Sequence, residues 1–335
     1  KIATGQISMT PLTAILQIRK KSRHDMPNQR IAVNSVTLNA DLRQPANLSS
    51  WPPPPTGEGE THPSRRATTP QHASHQSSAP TFVLLHGFTG SAAGWGDHLD
   101  AFAAAGLRVI ALDMLGHGAS DAPADPRRYA IEHARDDILA ALRALGMQSG
   151  EAILLGYSMG GRIALYTALH APGFFRGLIL ESASPGLPTA EERAARRASD
   201  EALATRIERE GIPAFVDYWE NLPLFASQRT LPPERRQALR EQRLRNSPQG
   251  LASSLRGVGA GAQPYLAGML PTLTLPTLLI AGALDEKYTA LARQMANTLP
   301  HARLTIVPNA GHAVHFERPG VFDALASAFR LKDAG

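Results

Sequence analysis

A tight turn at residues 156–161 joins a predicted strand to a predicted helix and constrains the fold more than any other segment. The apolar run 151–155 before it is typical of a strand buried inside a parallel sheet. Residues 162–170 after it have helical spacing and end before the Pro-Gly pair at 172–173. The turn reads Gly-Tyr-Ser-Met-Gly-Gly, and its glycines permit a sharp bend that leaves Ser158 strained and exposed above the sheet. This context predicts a nucleophilic serine rather than an ordinary turn.

A nucleophilic serine needs a base, and the base needs an acid that orients it. Asp285 lies in the loop after the apolar strand 277–281, and His312 follows the next predicted strand. Taken singly, Asp285 could be the N-cap of the following helix, and His312 could be a loop histidine. Their positions after successive strands predict the triad Ser158, Asp285 and His312. His315 is the alternative base, but the glycine before His312 favours His312.

Two backbone amides are expected to form an oxyanion hole beside the serine. One is the amide of Met159, directly after the nucleophile. The other is expected in residues 86–90, here named the oxyanion loop, which read His-Gly-Phe-Thr-Gly and follow the strand 82–85. Phe88 is the predicted donor in that loop.

Strand and helix patterns alternate from residue 81 onward. The predicted strands are 82–85, 107–112, 151–155, 177–180, 277–281 and 303–307. Such alternation predicts an α/β protein with a mostly parallel central sheet flanked by helices. Residues 185–271 interrupt it with helical periodicity and many arginines. We therefore predict a core at 81–184 and 272–335, with 185–271 inserted as a helical cap over Ser158.

The first eighty residues have a different character. Residues 26–43 are predicted to form a β-hairpin of two edge strands that belongs to the core. Met26 looks like a natural start, so 1–25 is predicted to be a disordered extension. Residues 44–80 contain no Val, Ile, Phe, Tyr or Met, so they are predicted to be a disordered insert. Two histidines there, at 72 and 75, lack a third ligand, and no metal site is predicted.

The composition limits the class of partner. The net charge of +5 comes from residues 1–80, which carry nine Lys and Arg against four Asp and Glu; the remaining chain has 25 of each sign. A neutral body with a basic arm argues against a nucleic-acid partner. The sequence has no cysteine and no run long enough for an integral membrane segment, so a cytoplasmic location is expected. It carries no signal of an oligomeric state.

Arg162 is the most unusual residue near the predicted nucleophile. It lies four residues after Ser158, so it shares that face of the predicted helix. The helix is otherwise apolar and should be buried, where an unpaired guanidinium is costly. Arg162 therefore has either an internal carboxylate partner or an anionic ligand, and its spacing leaves both open. Further arginines follow in the cap, at 193, 196, 197, 243 and 245. Together the arginines favour a small polyanionic carboxylate substrate.

Several other segments are distinctive. They are 181–187 (Glu-Ser-Ala-Ser-Pro-Gly-Leu), 192–200, 223–225, 245–250, 254–257, 282–288 and 311–315. With the turn at 156–162, they resemble the 2-succinyl-6-hydroxy-2,4-cyclohexadiene-1-carboxylate (SHCHC) synthase family of menaquinone biosynthesis, which has the α/β-hydrolase fold. The resemblance covers about residues 81–331 and, more weakly, 26–42. The segment 181–187, Arg162 and the cap arginines separate this family from other α/β hydrolases.

The resemblance implies a lyase that eliminates pyruvate from a cyclohexene bearing succinyl, carboxylate and enolpyruvyl groups. In that reaction Ser158, activated by His312 and Asp285, removes a ring proton as a general base. The amides of Phe88 and Met159 stabilise the resulting charge on the succinyl carbonyl. The implied substrate-binding residues are Arg162, Arg196, Arg245, Tyr157, Trp219 and His86, with Arg193 and Arg197 as alternatives to Arg196. Neither step requires a metal or an organic cofactor.

Two alternatives belong to other functional classes. A carboxylesterase or C–C bond hydrolase would use Ser158 as a nucleophile and would not need converging arginines. A non-catalytic relative would only bind a partner, and it would have no evident use for the complete set of Ser158, Asp285 and His312. Residues 1–25 and 44–80 depart from the compact family pattern and are expected to lie outside the site.

Overall fold

The computed structural model describes residues 28–45 and 79–332, which form one eight-stranded sheet with helices on both faces. The strands are β1 (Gln29–Val33), β2 (Val36–Arg43), β3 (Thr81–Leu85), β4 (Arg108–Leu112), β5 (Ala152–Tyr157), β6 (Phe175–Glu181), β7 (Thr277–Gly282) and β8 (Ala302–Val307). Their order is β1-β2-β4-β3-β5-β6-β7-β8, and β3 to β8 run parallel. The predicted α/β class and mostly parallel sheet are confirmed.

Helices connect the strands and cover the sheet. They are α1 (Asp97–Ala104), α2 (Ile131–Ala144), α3 (Met159–His170), α4 (Ala190–Trp219), α5 (Pro233–Leu244), α6 (Pro248–Val258), α7 (Glu286–Thr298), α8 (Val314–Glu317) and α9 (Pro319–Lys332), with 3-10 turns at Ala92–Trp95, Pro126–Tyr129, Pro223–Thr230 and Ala267–Thr272. Apolar residues of α2, α3 and α7 pack on one face of the sheet, and those of α1 and α9 pack on the other. This double cover explains why the central strands are continuous apolar runs.

The N-terminal hairpin is present, but it is not a pair of edge strands. β1 pairs with β2, and β2 also pairs antiparallel with β4, so only β1 lies at the edge. The polar residues Asn39 and Asp41 gave β2 the pattern of an edge strand. Asn39 is nevertheless buried, because its Nδ2 donates to Asp113 Oδ2 at 2.8 Å. This hydrogen bond to the loop after β4 compensates for the burial of a polar side chain in the sheet.

The sheet has a point where its connections reverse direction. From β3 the chain moves outward to β4, and it then returns past β3 to place β5 on the other side. The carboxyl ends of β3 and β5 flank a crevice at such a switch point. β7 and β8 run parallel to them, so the loops after all four strands open at the same edge. The oxyanion loop follows β3, Ser158 follows β5, Asp285 follows β7 and His312 follows β8, so all four lie at this edge.

A helical cap is inserted between β6 and β7. Residues 182–276, all of which the structure describes, contain helices and no strand. A local core of Ala204, Ile207, Phe215, Val216, Leu251 and Leu255 joins α4 to α6. The long α4 is interrupted at Gly211, where φ is 80°, and Pro213 follows. The cap limits at 185 and 271 stay predictions.

Some expectations concern residues that the structure does not describe. The predicted extension 1–25 and all but the ends of the predicted insert 44–80 lie outside the described residues. Within the described ranges, the helices include none with the length and apolar character needed to cross a membrane. The same ranges contain no group of three or more His, Asp or Glu side chains arranged to hold a metal ion.

Candidate active site

Ser158 occupies a strained backbone position between β5 and α3. Its φ of 52° and ψ of −107° lie outside the regions that L-residues normally adopt. Hydrogen bonds on both sides fix this conformation: Ser158 N donates to Glu181 O at 2.9 Å, and Arg162 N donates to Ser158 O at 3.0 Å. Gly160 is required for space, since a Cβ there would lie 2.2 Å from Leu85 O. The turn therefore holds the serine side chain half-exposed at the crevice.

The structure brings Ser158, His312 and Asp285 together. His312 Nε2 lies 2.9 Å from Ser158 Oγ, and His312 Nδ1 lies 2.7 Å from Asp285 Oδ2. The carboxylate can accept only from a protonated Nδ1, which leaves Nε2 free to accept the serine hydroxyl proton. Asp285 Oδ1 also accepts from Tyr288 N at 3.1 Å. The carboxylate is thus both the N-cap of α7 and the partner of His312, so the two interpretations of Asp285 are compatible.

His315, the alternative base, points elsewhere. It is 3% exposed, and both its backbone N and its Nδ1 contact Glu181 Oε1, at 3.0 and 2.8 Å. Glu181 is fully buried at the end of β6, and the His315 ring packs edge-on against Tyr157 with centroids 4.5 Å apart. This buried pair lies behind the site, and the sequence did not reveal it.

The predicted oxyanion donors follow two neighbouring strands of the sheet. The oxyanion loop is closed by a turn in which Gly90 N donates to Gly87 O at 2.9 Å. Across residues 28–45 and 79–332, the amides of Phe88 and Met159 have no protein acceptor. Phe88 follows β3 and Met159 follows β5, and their role as oxyanion donors stays a prediction.

Both ring nitrogens of His86 are occupied by backbone groups. It is 3% exposed, its Nδ1 donates to Gly87 O at 2.8 Å, and its Nε2 accepts from Met114 N at 3.0 Å. Burial lowers the pKa of His86 to about 4, so the ring is neutral at pH 7. His86 therefore connects the oxyanion loop to the loop after β4 through both ring nitrogens, and its contact with a substrate stays a prediction.

Arg162 is buried among neutral acceptors. It is 8% exposed; Nη1 donates to Val258 O at 3.1 Å and Gln263 Oε1 at 2.9 Å, and Nη2 donates to Val258 O at 3.1 Å. Burial lowers the pKa of its guanidinium to about 10, so it remains charged. Within the described residues it has no carboxylate partner. Three of its five N–H groups are used, and the remaining Nε–H and Nη2–H form the side-on edge that binds a carboxylate bidentately.

The cap arginines divide into different environments. Arg196 Nε donates to Asp200 Oδ1 at 2.8 Å, and its charge is close enough to contribute to the lowered pKa of Arg162. Arg245 is exposed and donates to Glu241 O on its own helix at 3.3 Å. The structure shows no contact between Arg245 and the triad in the described residues, and its assignment as a substrate-binding residue stays a prediction.

Arg243 is the cap arginine that sequence reasoning did not select. It is 5% exposed, Nη2 donates to Gln228 Oε1 at 3.1 Å, and the guanidinium lies 5.3 Å from the centre of the Phe225 ring. The Phe225 ring is itself 6.1 Å from that of His312. A usable signal was present: Leu239 and Arg243 are four residues apart on α5, so an apolar inner face places Arg243 inward and Arg245 outward.

Aromatic rings enclose the histidine of the triad. The Tyr157 ring lies 5.5 Å from the His312 ring, and Tyr288 packs edge-on against His312 at 4.5 Å. Trp219 contacts Phe88 at 5.3 Å and Phe225 at 5.5 Å. Tyr157 therefore contacts His312 directly, Trp219 reaches it through Phe225, and the role of both as substrate-binding residues stays a prediction.

Comparison with known proteins agrees with this geometry. A family model described as alpha/beta hydrolase fold matches residues 80–319. A Bacillus subtilis (strain 168) protein assigned as SHCHC synthase is 44% identical over 247 residues, which cover 74% of this chain and 89% of the relative. The SHCHC synthase of Salmonella paratyphi C (strain RKS4594) is 36% identical over 264 residues, covering 78% and 98%.

The structural comparison leads to the same family. The structure of MenH from S. aureus superposes with a TM-score of 0.76 and 31% identity, covering 88% of this chain and 99% of that one. The relatives are matched over nearly their whole length, and the match includes the cap as well as the core. This chain therefore belongs to the SHCHC synthase family of the α/β hydrolases.

Proposed function

We propose that this chain eliminates pyruvate from 2-succinyl-5-enolpyruvyl-6-hydroxy-3-cyclohexene-1-carboxylate to give SHCHC, a lyase step of menaquinone biosynthesis. The observation that carries the proposal is Arg162. A buried guanidinium beside the nucleophile, with neutral partners and a free bidentate edge, is suited to a substrate carboxylate. The names of the relatives support the same reaction.

In the proposed step Ser158 is the base that takes the ring proton. The ring C–H bond breaks and its proton passes to Ser158 Oγ, while the serine proton passes to His312 Nε2 across the 2.9 Å contact. Asp285, 2.7 Å from Nδ1, stabilises the imidazolium that forms. No acyl bond to the serine is made, so the triad acts as a general base rather than as a nucleophile.

The electrons released by proton removal need stabilisation. They delocalise onto the succinyl carbonyl oxygen, which receives hydrogen bonds from the amides of Phe88 and Met159. Their return forms a ring double bond at the deprotonated carbon, shifts the existing ring double bond by one position, and breaks the C–O bond to the enolpyruvyl group. That group leaves as the enolate of pyruvate and takes up one proton, so the site returns to its starting protonation state.

Three arginines are proposed to bind the carboxylates. Arg162 offers its free edge beside Ser158, Arg196 reaches the same region from α4, and Arg243 approaches from α5 beside Phe225. Burial lowers the pKa of Arg162 and of Arg243, so an anion that pairs with either one offsets a desolvation cost. A polyanion is therefore favoured over a neutral ester.

The test measures pyruvate release from the enolpyruvyl substrate, with a lactate dehydrogenase couple, beside hydrolysis of a panel of p-nitrophenyl esters. The proposal expects fast pyruvate release, slow ester hydrolysis and loss of release in Ser158→Ala. Ser149→Ala, an exposed serine before β5, is the matched control and should retain full activity. Rapid ester hydrolysis without pyruvate release would instead identify a hydrolase that uses Ser158 as a nucleophile.

A further inference from the structure

Asn246 links the cap to the oxyanion loop. It lies between α5 and α6, is 8% exposed, and its Nδ2 donates to Thr89 O at 2.9 Å and to Arg243 O at 3.0 Å. Both partners are carbonyl oxygens, so the atom that faces them must be the amide nitrogen. One buried side chain thus contacts the loop that carries Phe88 and the backbone of a proposed anion-binding arginine.

The hydrogen bond from Asn246 stabilises an unusual backbone conformation at Thr89. Its φ of 69° lies in the left-handed region, which a β-branched residue adopts at a steric cost that glycine avoids. The turn closed by Gly90 N and Gly87 O puts Thr89 at the third position, where a type II turn normally has glycine. Thr89 is only 4% exposed, so the hydrogen bond from Asn246 stabilises a conformation that water could not readily support.

Aromatic rings of the cap also contact Phe88, the residue before Thr89. The Phe88 ring contacts cap rings edge-on, with centroids 5.3 Å from Trp219 and 6.2 Å from Phe215. The loop is therefore attached to the cap on both sides of the Phe88–Thr89 peptide. A relaxation of Thr89 to negative φ would break the turn between Gly87 and Gly90 and change the path of the loop, and this would displace the Gly87–Phe88 peptide that carries the Phe88 N–H.

We propose that Asn246 is a positioning residue that holds the Phe88 amide in place for the oxyanion, and that it connects this amide to the segment of Arg243. The inference rests on the proposed function, because it names a further determinant of the same site. Asn246 does not touch the reacting atoms; it acts through Thr89. The cap therefore contributes to the chemical step as well as to substrate binding.

The test replaces Asn246 by Asp and by Leu, which have similar size and lack the donor. Because displacement of a catalytic group by about 1 Å can cost on the order of 100-fold in rate, we expect kcat for pyruvate release to fall about 10- to 100-fold. KM should change less than about threefold, since the arginine side chains remain. The matched control is Asn221→Asp, an exposed cap asparagine whose Nδ2 donates to Asp217 O at 2.8 Å.

A second variant separates positioning from general stability. Thr89→Gly in the Asn246→Leu protein removes the steric cost of positive φ, so it should recover part of the lost kcat. A cap that was merely destabilised would not be rescued by glycine in the other domain. An unchanged kcat in both single variants, or no recovery in the double variant, would overturn the proposal.

The same comparison works if the proposed function fails. When wild-type protein releases no pyruvate, p-nitrophenyl acetate becomes the probe, because its hydrolysis also requires the oxyanion hole. A 10- to 100-fold lower kcat for this ester in Asn246→Leu, with Asn221→Asp unaffected, would retain the positioning role without the lyase. Equal ester kcat in all variants would contradict it.

Discussion

Replacing Arg162 by Met removes the buried cation and keeps the volume of the side chain. In the free protein its pKa falls from 12.5 to about 10 through burial, so the folded state holds the charge less well than the unfolded chain. For a base with a lowered pKa, this cost is complete at every pH below about 10. At about 1.4 kcal/mol per pKa unit, the charge destabilises the fold by roughly 3 kcal/mol at pH 7.

The substitution also leaves two acceptors without a donor. Val258 O and Gln263 Oε1 lose their hydrogen bonds, which costs about 1 to 2 kcal/mol each. The two effects nearly cancel, so we expect the free energy of unfolding of Arg162→Met to lie within about 1 kcal/mol of wild type. The substrate, in contrast, loses a bidentate carboxylate contact worth about 3 to 4 kcal/mol, so KM should rise on the order of 100- to 1000-fold.

Urea unfolding at pH 7 and the pyruvate assay together check this prediction. Arg256→Met is the matched control, because Arg256 lies on the cap surface and pairs with Glu201 and Glu208. It should cost about 1 kcal/mol or less and leave KM unchanged. A loss of 3 to 5 kcal/mol in Arg162→Met with an unchanged KM would refute the reasoning, since that result marks a buried charge whose role is structural.

Three further perturbations test separate parts of the structure. Burial lowers the pKa of His86 to about 4 and that of His117 to about 3, so both stay neutral in the fold. Their stabilisation is present above pH 6.5 and is lost as the pH falls. In urea unfolding, wild type should lose about 2 kcal/mol more stability between pH 7 and 5 than His117→Phe does. An equal loss in the two proteins would contradict this. In steady-state assays, Arg243→Met should raise KM at least 10-fold and Arg245→Met less than twofold. The reverse ranking would support Arg245, the arginine that the sequence predicted. Gly160→Ala should cost about 1 to 3 kcal/mol in unfolding and lower kcat, because its Cβ would meet backbone 2.2 Å away; a wild-type kcat would show that the turn can shift.

The core of the fold and the triad were predictable because their signals are local. Parallel strands are short apolar runs, and the turn around Ser158 must contain glycine where backbone segments approach closely. Asp285 and His312 each follow a strand, and parallel strands bring their ends to one edge. Chain order was therefore enough to place the three side chains together, and the contacts of 2.7 and 2.9 Å in the structure agree.

Residues whose role depends on a distant partner were not predictable. The pairing of β2 with β4 turned a predicted edge strand into an interior one. His86 was read as a substrate contact, although its two ring nitrogens are occupied by backbone groups of two loops. In each case the deciding partner lies on another element, and neither spacing nor periodicity encodes it.

The sequence by itself determined the α/β sheet and the strained serine turn, and it placed Ser158, Asp285 and His312 after strands that end at one edge, because strand length, glycine positions and chain order impose these features. Only the tertiary structure decided what surrounds them. It shows that Arg162 has neutral partners about a hundred residues away, that Arg243 rather than Arg245 faces inward, and that Asn246 reaches Thr89. These contacts depend on how the cap helices are rotated and seated on the core, and that arrangement is fixed by packing between distant segments.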